Sequence, residues 1–259
     1  MSLDPEDPRL APYRDLQRRG KVLAEGRPVF ICEGRYLARM ALDEARSGRL
    51  QLHSVLGTRQ GLSSLDPLLP DPVPRLQGDA ADLEAIAGFP FHRGVLLCAY
   101  CPAPPPEEQI LEADRLVVLP RLDDAENLGL VLRSAAALGM EAVLAGPGPA
   151  LFQRRTVRVS MGAVFRIPVL RSPDPLALLG TWKRMGGEAV ASCLEPGATL
   201  VRDWVPAPRT ALLLGPEDRG LDPEWLEAAD LRVRIPMSRG MDSLNVAAAA
   251  AILMSRMME

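Results

Sequence analysis

The sequence predicts an α/β protein in two parts, a smaller N-terminal α/β domain and a larger C-terminal domain built on a parallel sheet. Three observations lead there. Short apolar runs alternate with helical patterns along most of the chain, the signature of strands interleaved with helices. The apolar runs of the C-terminal part do not alternate with polar residues, so each reads as a strand covered on both faces. Between the parts, Pro102-Ala103-Pro104-Pro105-Pro106 places four prolines in five positions, which favours extended polyproline backbone and continues neither helix nor central strand. The predicted division is therefore residues 1–101, a linker over 102–113, and 114–259.

In the first part, Pro28–Cys32 reads as a buried strand. A helical pattern through Leu37, Met40, Ala41 and Ala45 follows and stops at Gly48. Leu50–Leu56 is a second strand, Asp79–Ala87 a helix and Gly94–Leu97 a third strand, with a turn-rich loop at Pro67–Pro72. In the second part, strands fit Leu116–Leu119, Ala142–Ala145, Phe165–Leu170, Ala189–Cys193, Ala211–Leu214 and Leu231–Ile235. Helices fit Leu128–Leu138, Asp174–Met185, Pro223–Ala229 and Leu244–Met258.

Composition narrows the function classes. No apolar run approaches the roughly 20 residues that cross a bilayer. The start, Met1-Ser2-Leu3-Asp4-Pro5-Glu6-Asp7, is acidic and proline-rich, unlike a signal peptide, so a cytoplasmic location is expected. Cys98 and Cys101 form a Cys-x-x-Cys pair, but the chain has only His53 and His92 to add, and a structural zinc needs about four ligands. Buried strand-end thiols and no metal are the expectation. The net charge is −3, which advertises no nucleic-acid partner, but its distribution is uneven. Between Pro149 and Ser172 stand Arg154, Arg155, Arg158, Arg166 and Arg171 with no acidic residue, and Arg14, Arg18, Arg19 and Lys21 cluster earlier. Either stretch suits an RNA backbone or a solvated basic surface.

In a doubly wound sheet, ligands bind beyond the carboxyl ends of the strands. Three polar, glycine-containing loops begin there, in the stretches Pro120 to Ala135, Gly215 to Leu221, and Pro236 to Val246. The chain has no Gly-x-x-x-x-Gly-Lys-Ser/Thr loop and no Gly-x-Gly-x-x-Gly after its first strand, which speaks against nucleotide hydrolysis and ordinary dinucleotide binding. Two histidines, both outside the C-terminal part, leave no base for a Ser-His-Asp hydrolase.

Asn127-x-Gly129-x-x-x-Arg133-Ser134-Ala135 with Gly139, then Leu214-Gly215-Pro216-Glu217-x-x-Gly220-Leu221, then Ile235-Pro236-Met237 with Ser243-Leu244-Asn245-Val246-Ala247 occur in that order. Together they resemble the three motifs of the SpoU (TrmH-type) class of SPOUT RNA methyltransferases, and Ser160-x-Gly162-Ala163 with Pro168 resembles that family's middle segment. Phe30-Ile31-Cys32-Glu33-Gly34 and Gly88-Phe89 with His92-Arg93-Gly94-Val95-Leu96 resemble the L30e-like RNA-binding domain that many such enzymes carry. The resemblance implies a deep trefoil knot, a homodimer formed through the knotted domain, and S-adenosylmethionine as cofactor. The implied reaction is methylation of a ribose 2′-hydroxyl in structured RNA, ribosomal RNA before transfer RNA. A non-catalytic assembly factor of the same fold and a base-nitrogen methyltransferase stay open as alternatives.

The resemblance assigns the cofactor to Leu214, Gly215, Gly220, Ile235, Met237, Ser243 and Leu244, and catalysis to Arg133, Asn127, Glu217, Ser243 and Asn245. Glycines at 215 and 220 permit close backbone approach or positive φ. Ser243 is expected to cap the last helix and Asn245 to lie within its first turn, facing the site, while Asn127 could cap its own helix. Arg133 sits among Leu130, Val131, Leu132 and Ala135, where a guanidinium is costly unless it meets an anion. Because arginine keeps its proton in proteins, its expected role is to bind the phosphate beside the target ribose and polarise the hydroxyl. Glu217 would orient Arg133 or Asn127, or cap the turn after Gly215. Arg154, Arg155 and Arg158, with Arg133, are the expected RNA contacts.

Overall fold

Residues 3, 7–16, 22–90, 94–216, 219–239, 241 and 243–258 are described by the computed structural model. Glu217, His92, Arg93, Arg18, Arg19 and Lys21 lie outside them. The chain divides into two compact units, residues 1–103 with 151–165, and residues 104–150 with 166–259.

The first unit holds a five-stranded sheet of β1 (Val22–Ala24), β2 (Arg27–Glu33), β3 (Leu52–Gly57), β4 (Arg75–Gln77) and β5 (Val95–Tyr100), in the order β1-β2-β5-β3-β4. The β3–β4 pair is parallel and the other pairs are antiparallel. Helices α1 (Gly34–Arg46), α2 (Arg59–Ser63) and α3 (Ala80–Ala87) complete it. At the start of α3, Asp79 accepts from the Asp82 amide and Asp82 reaches back to the Asp79 amide, a reciprocal cap. One core gathers Leu10, Tyr13, Ile31, Leu56, Leu83 and Leu96, with the buried Tyr13 hydroxyl bonded to Ser54 Oγ at 2.8 Å. Cys32 and Cys98 are buried and unpaired, and burial pushes both thiols well above their usual range.

The second unit opens with α4 (Glu107–Leu111) inside the expected linker. Pro106 precedes its first turn, which carries Glu107 and Glu108, a placement that suits the positive end of a helix. Then follow β6 (Arg115–Leu119), α5 (Ala125–Ala137), β7 (Ala142–Ala145), α6 (Arg154–Val159), β8 (Val169–Arg171), α7 (Pro175–Arg184), β9 (Glu188–Ser192), β10 (Thr199–Leu200), β11 (Thr210–Leu213), α8 (Pro223–Ala228), β12 (Leu231–Arg234) and α9 (Val246–Arg256). All of these except α6 belong to the second unit. Its seven strands pair in the order β10-β12-β9-β11-β6-β7-β8, every pair parallel. The core runs through Leu116, Val118, Leu144, Leu213, Trp182 and Trp225, and the Trp182 indole donates to Ala113 O at 2.8 Å.

The structure departs from expectation where local chemistry overrides pattern. The strand expected over Phe165–Leu170 is a 3₁₀ turn at Ala163–Phe165 followed by the short β8, because Pro168 has no amide to donate; its carbonyl accepts from Val143 N instead. Residues 151–165 group with the first unit rather than with the C-terminal part. Phe152 and Phe165 lie 5.1 and 5.7 Å from the Phe30 ring, and Arg154 pairs with the buried Glu33. Among the described residues no helix is long and apolar enough to cross a membrane, and no three His, Cys, Asp or Glu gather as a metal site.

Candidate cofactor cavity and active site

The parallel sheet places its loops as the strand pattern requires. Leu214 N donates to Val118 O at 3.0 Å, extending the β11–β6 ladder by one residue before the chain turns. Gly220 N donates to Pro216 O at 2.9 Å, and Gly220 takes a φ of +70°. The loop folds back so tightly that a Cβ on Gly215 would stand 2.3 Å from the Gly220 carbonyl carbon and 2.5 Å from the Leu221 nitrogen. Gly215 thus serves close approach and Gly220 positive φ, the two uses of glycine.

This loop and the segment after β12 enclose a cavity of about 530 Å³, within the range of small-molecule sites. Leu214, Gly215, Gly220, Ile235, Met237, Ser243 and Leu244 all line it. Sequence reasoning missed Ser192, the last residue of β9, Cys193 to Glu195, which follow it, and Leu226, Val246 and Ala249 of the surrounding helices. The β9 segment does leave the carboxyl end of a strand, but its glycine, Gly197, lies beyond the lining residues, and only the strand order reveals that β9 is the neighbour of β11. Burial pushes the Cys193 thiol up, so this lining group stays neutral and a poor nucleophile.

The walls are mostly aliphatic, with Leu214, Leu221, Ile235, Leu244 and Val246 in place to enclose a purine. Among the described lining residues Glu195 and Arg219 are the charged ones. Glu195 accepts from Arg232 Nη1 at 2.8 and 2.7 Å. Arg219 Nη2 lies 3.8 Å from Asp123 Oδ2. An aliphatic slot with one carboxylate and one guanidinium suits a nucleoside joined to an amino acid, the chemistry of S-adenosylmethionine.

Beside the cavity, helix ends bring two expected residues together. Asp124 caps α5 by accepting from the amides of Glu126 and Asn127, so Asn127 is not the cap. Gly139 ends the helix region at a φ of +67°. Asn245 caps α9, accepting from Ala247 N at 2.9 Å, and its Nδ2 donates to Asn127 Oδ1 at 2.9 Å. Ser243 is therefore not the cap and Asn245 is not inside the first turn; an asparagine at the cap position satisfies a helix amide while its second arm remains usable. Ser243 stays exposed on the cavity lining.

Arg133 corrects another expectation. It lies on the exposed side of α5, so its charge costs no desolvation, and it makes no hydrogen bond or ion pair among the described residues. It is not among the cavity-lining residues. Of the three arginines expected to hold RNA, Arg154 is taken up by the buried Glu33 and lies 3.9 Å over the Phe89 ring, whereas Arg155 and Arg158 are exposed. Arg171 is spent on the carbonyls of Gly146, Gly148 and Pro149.

The Asn127–Asn245 bridge yields a first prediction. Asn245→Ala should lower the unfolding free energy by about 1 kcal/mol through the lost cap, and Asn245→Ser should recover most of it. A denaturant double-mutant cycle with Asn127→Ala should show a coupling of about 0.5–1 kcal/mol. Additive losses would show that the bridge contributes nothing.

Residues 114–255 match the model of the SpoU rRNA Methylase family. An uncharacterized tRNA/rRNA methyltransferase of Mycobacterium tuberculosis is 38% identical over 257 residues, covering 96% of this chain and 88% of that protein. The 23S rRNA (guanosine(2553)-2′-O)-methyltransferase RlmP of Bacillus subtilis is 36% identical over 149 residues, 57% of this chain and 59% of that one. Among solved structures, the AdoMet-bound rRNA methyltransferase of Sinorhizobium meliloti superimposes with a TM-score of 0.77 at 24% identity, covering 98% of this chain and 95% of that one. That likeness shows the fold.

Proposed function

Because the chain belongs to the SpoU rRNA methylase family, we propose that it methylates a ribose 2′-hydroxyl of structured RNA, ribosomal RNA in the first place, with S-adenosylmethionine as donor. The observation that carries this reading is the single cavity to which the second and third motif loops both contribute, beside the Asn127–Asn245 bridge. The relative in Bacillus subtilis, named for 2′-O-methylation of 23S rRNA, supports the ribose and the ribosomal substrate.

When bound, the cofactor supplies an electrophilic methyl on a sulfonium. The chain's own residues do the rest by alignment and charge. Leu214, Ile235 and Leu244 exclude water from the nucleoside. The Asn127–Asn245 bridge holds the ends of α5 and α9. Arg133, projecting to solvent, pairs with the RNA phosphate beside the target ribose and polarises the 2′-hydroxyl, whose proton passes to solvent water. The knot implied by the resemblance is part of the proposal, supported by the packing of α9 on α5. So is a homodimer through this unit, supported by the exposed apolar line Leu244, Ala248 and Ile252 on and before α9.

The first unit fits an RNA-holding role by how its arginines are used. Arg9, Arg49, Arg75 and Arg154 each face a carboxylate. Arg35 and Arg39 on α1 and Arg59 on α2 are exposed without one among the described residues, and Tyr36 between Arg35 and Arg39 is 59% exposed. Uncompensated cations beside an open aromatic ring suit phosphate and base contacts.

The test is transfer of label from S-adenosylmethionine to ribosomal and transfer RNA lacking native modifications, followed by digestion to nucleosides. The expected product is a labelled 2′-O-methylnucleoside from ribosomal RNA. Label on a base would replace the ribose assignment, and cofactor binding without transfer would leave a non-catalytic RNA binder.

A further inference from the structure

We propose that Arg171, at the end of β8, is a positioning residue for methyl transfer: by holding the Gly146–Pro149 loop against the turn that leads into α5, it sets where Arg133 stands. The proposal rests on the methyltransferase reading with Arg133 as the group that meets RNA, and adds to it a residue outside all three motifs.

The loop after β7, Gly146-Pro147-Gly148-Pro149, is pressed onto the loop after β6. Gly146 N donates to Leu119 O at 2.9 Å, and Leu122 N donates to Pro147 O at 3.4 Å. The backbones leave no room for side chains: a Cβ on Gly146 would collide with Pro120 O, and one on Gly148 with Leu122 O. Two residues beyond Leu122, Asp124 caps α5 through the amides of Glu126 and Asn127. The course of Pro120–Leu122 therefore fixes the start of α5. A hydrogen-bonded helix moves as a unit, so a displacement of its first turn carries through to Arg133.

Arg171 supplies the donors that this loop is short of. Two of the four loop residues are prolines, which have a carbonyl but no amide. β8 pairs with β7 so that Arg171 stands opposite Ala145, the last residue before the loop. From there its Nη1 donates to Gly146 O at 3.0 Å and to Gly148 O at 3.1 Å, and its Nη2 donates to Pro149 O. Three carbonyls gathered on one planar, five-donor group hold the loop to a single course. The guanidinium is partly withdrawn from water, and burial pulls its pKa below the ordinary arginine value. Arg171 is thus committed to the loop rather than offered to RNA. Neither it nor the two loop segments it joins line the cofactor cavity, so its effect on transfer is separable from cofactor binding.

Single-turnover transfer to RNA lacking native modifications, with calorimetry of S-adenosylmethionine binding, tests this on the full chain. Arg171→Met should lower the rate about 10-fold, as misplacing a reacting group does, with cofactor affinity within about two-fold of wild type. Arg171→Lys keeps three donors and should recover part of the loss. In an Arg133→Ala background, Arg171→Met should cost less than about two-fold, because a residue that acts through Arg133 has nothing left to position. Gly148→Ala leaves Arg171 intact and forces the loops apart, so it should reproduce both the rate loss and its dependence on Arg133. It also covers the case of an Arg171→Met chain that does not fold. An equal rate loss with and without Arg133, a matching loss of cofactor affinity, or an unchanged rate in both variants overturns the assignment. An Arg133→Ala rate equal to wild type overturns it too. Failure of the wild-type chain to transfer label to ribosomal or transfer RNA overturns the methyltransferase reading as well.

Discussion

Arg133→Ala is expected to lower the single-turnover rate of methyl transfer by about 10²–10³-fold, the usual cost of removing one preorganised charge that faces developing negative charge. Affinity for S-adenosylmethionine should stay within about two-fold of wild type on the same ground, that the group acts in the transition state and not on the bound cofactor. This separation follows from position, since Arg133 is exposed on α5 and absent from the cavity lining. Stability should change by less than about 0.5 kcal/mol, as for other exposed substitutions. Arg133→Lys keeps the charge but not the fork, and should recover only part of the rate. Equal loss of cofactor binding and rate would show that Arg133 supports the cavity instead, and unchanged rates would remove it from the reaction.

Gly215→Ala is the second large effect, and its cause is steric. The added Cβ would meet the backbone of Gly220 and Leu221 at 2.3–2.5 Å, and backbone atoms cannot turn aside as a flexible side chain can. The loop must open, at a cost of about 1–3 kcal/mol, and cofactor affinity should fall by more than about 10-fold, the equivalent of a loss above 1.4 kcal/mol. Gly220→Ala is the informative contrast. Nothing lies within 4 Å of its Cβ, and the substitution carries only the strain of a φ of +70°, about 1–2 kcal/mol. Calorimetry with S-adenosylmethionine and denaturant melts on both variants check the pair. Equal losses of affinity would mean that loop conformation matters rather than close approach.

Much of this site was legible because its parts are local. Leu214 to Leu221 is a strand end, a glycine turn and an aliphatic residue in eight consecutive positions, and local sequence suffices to identify such a loop. The parallel sheet was legible for the same reason, since strands covered on both faces leave unbroken apolar runs. What failed needed partners from elsewhere. The cap of α9 was assigned to Ser243 because serine before an apolar run is a sound local signal, but Asn245 wins by serving two bonds, one of them to Asn127 118 residues away. Arg133 was read as a cost because its sequence neighbours are apolar, although α5 turns those neighbours inward and Arg133 outward. Arg154 looked like a free cation because Glu33 is distant in sequence.

The bond between Asn127 and Asn245 also bears on when the site comes into being. The wall that closes the cavity, with Ile235, Met237, Ser243, Leu244, Val246 and Ala249, leaves the ribosome after the strands and loops that it completes. A nascent chain that has formed β6 to β11 holds an open trough and lacks the Asn245 amide that meets Asn127. Long-range closures of this kind come late in folding. Cofactor retention by chains released at successive lengths should therefore switch on in one step, when α9 docks, so that capture of the ligand reports the closing of this wall.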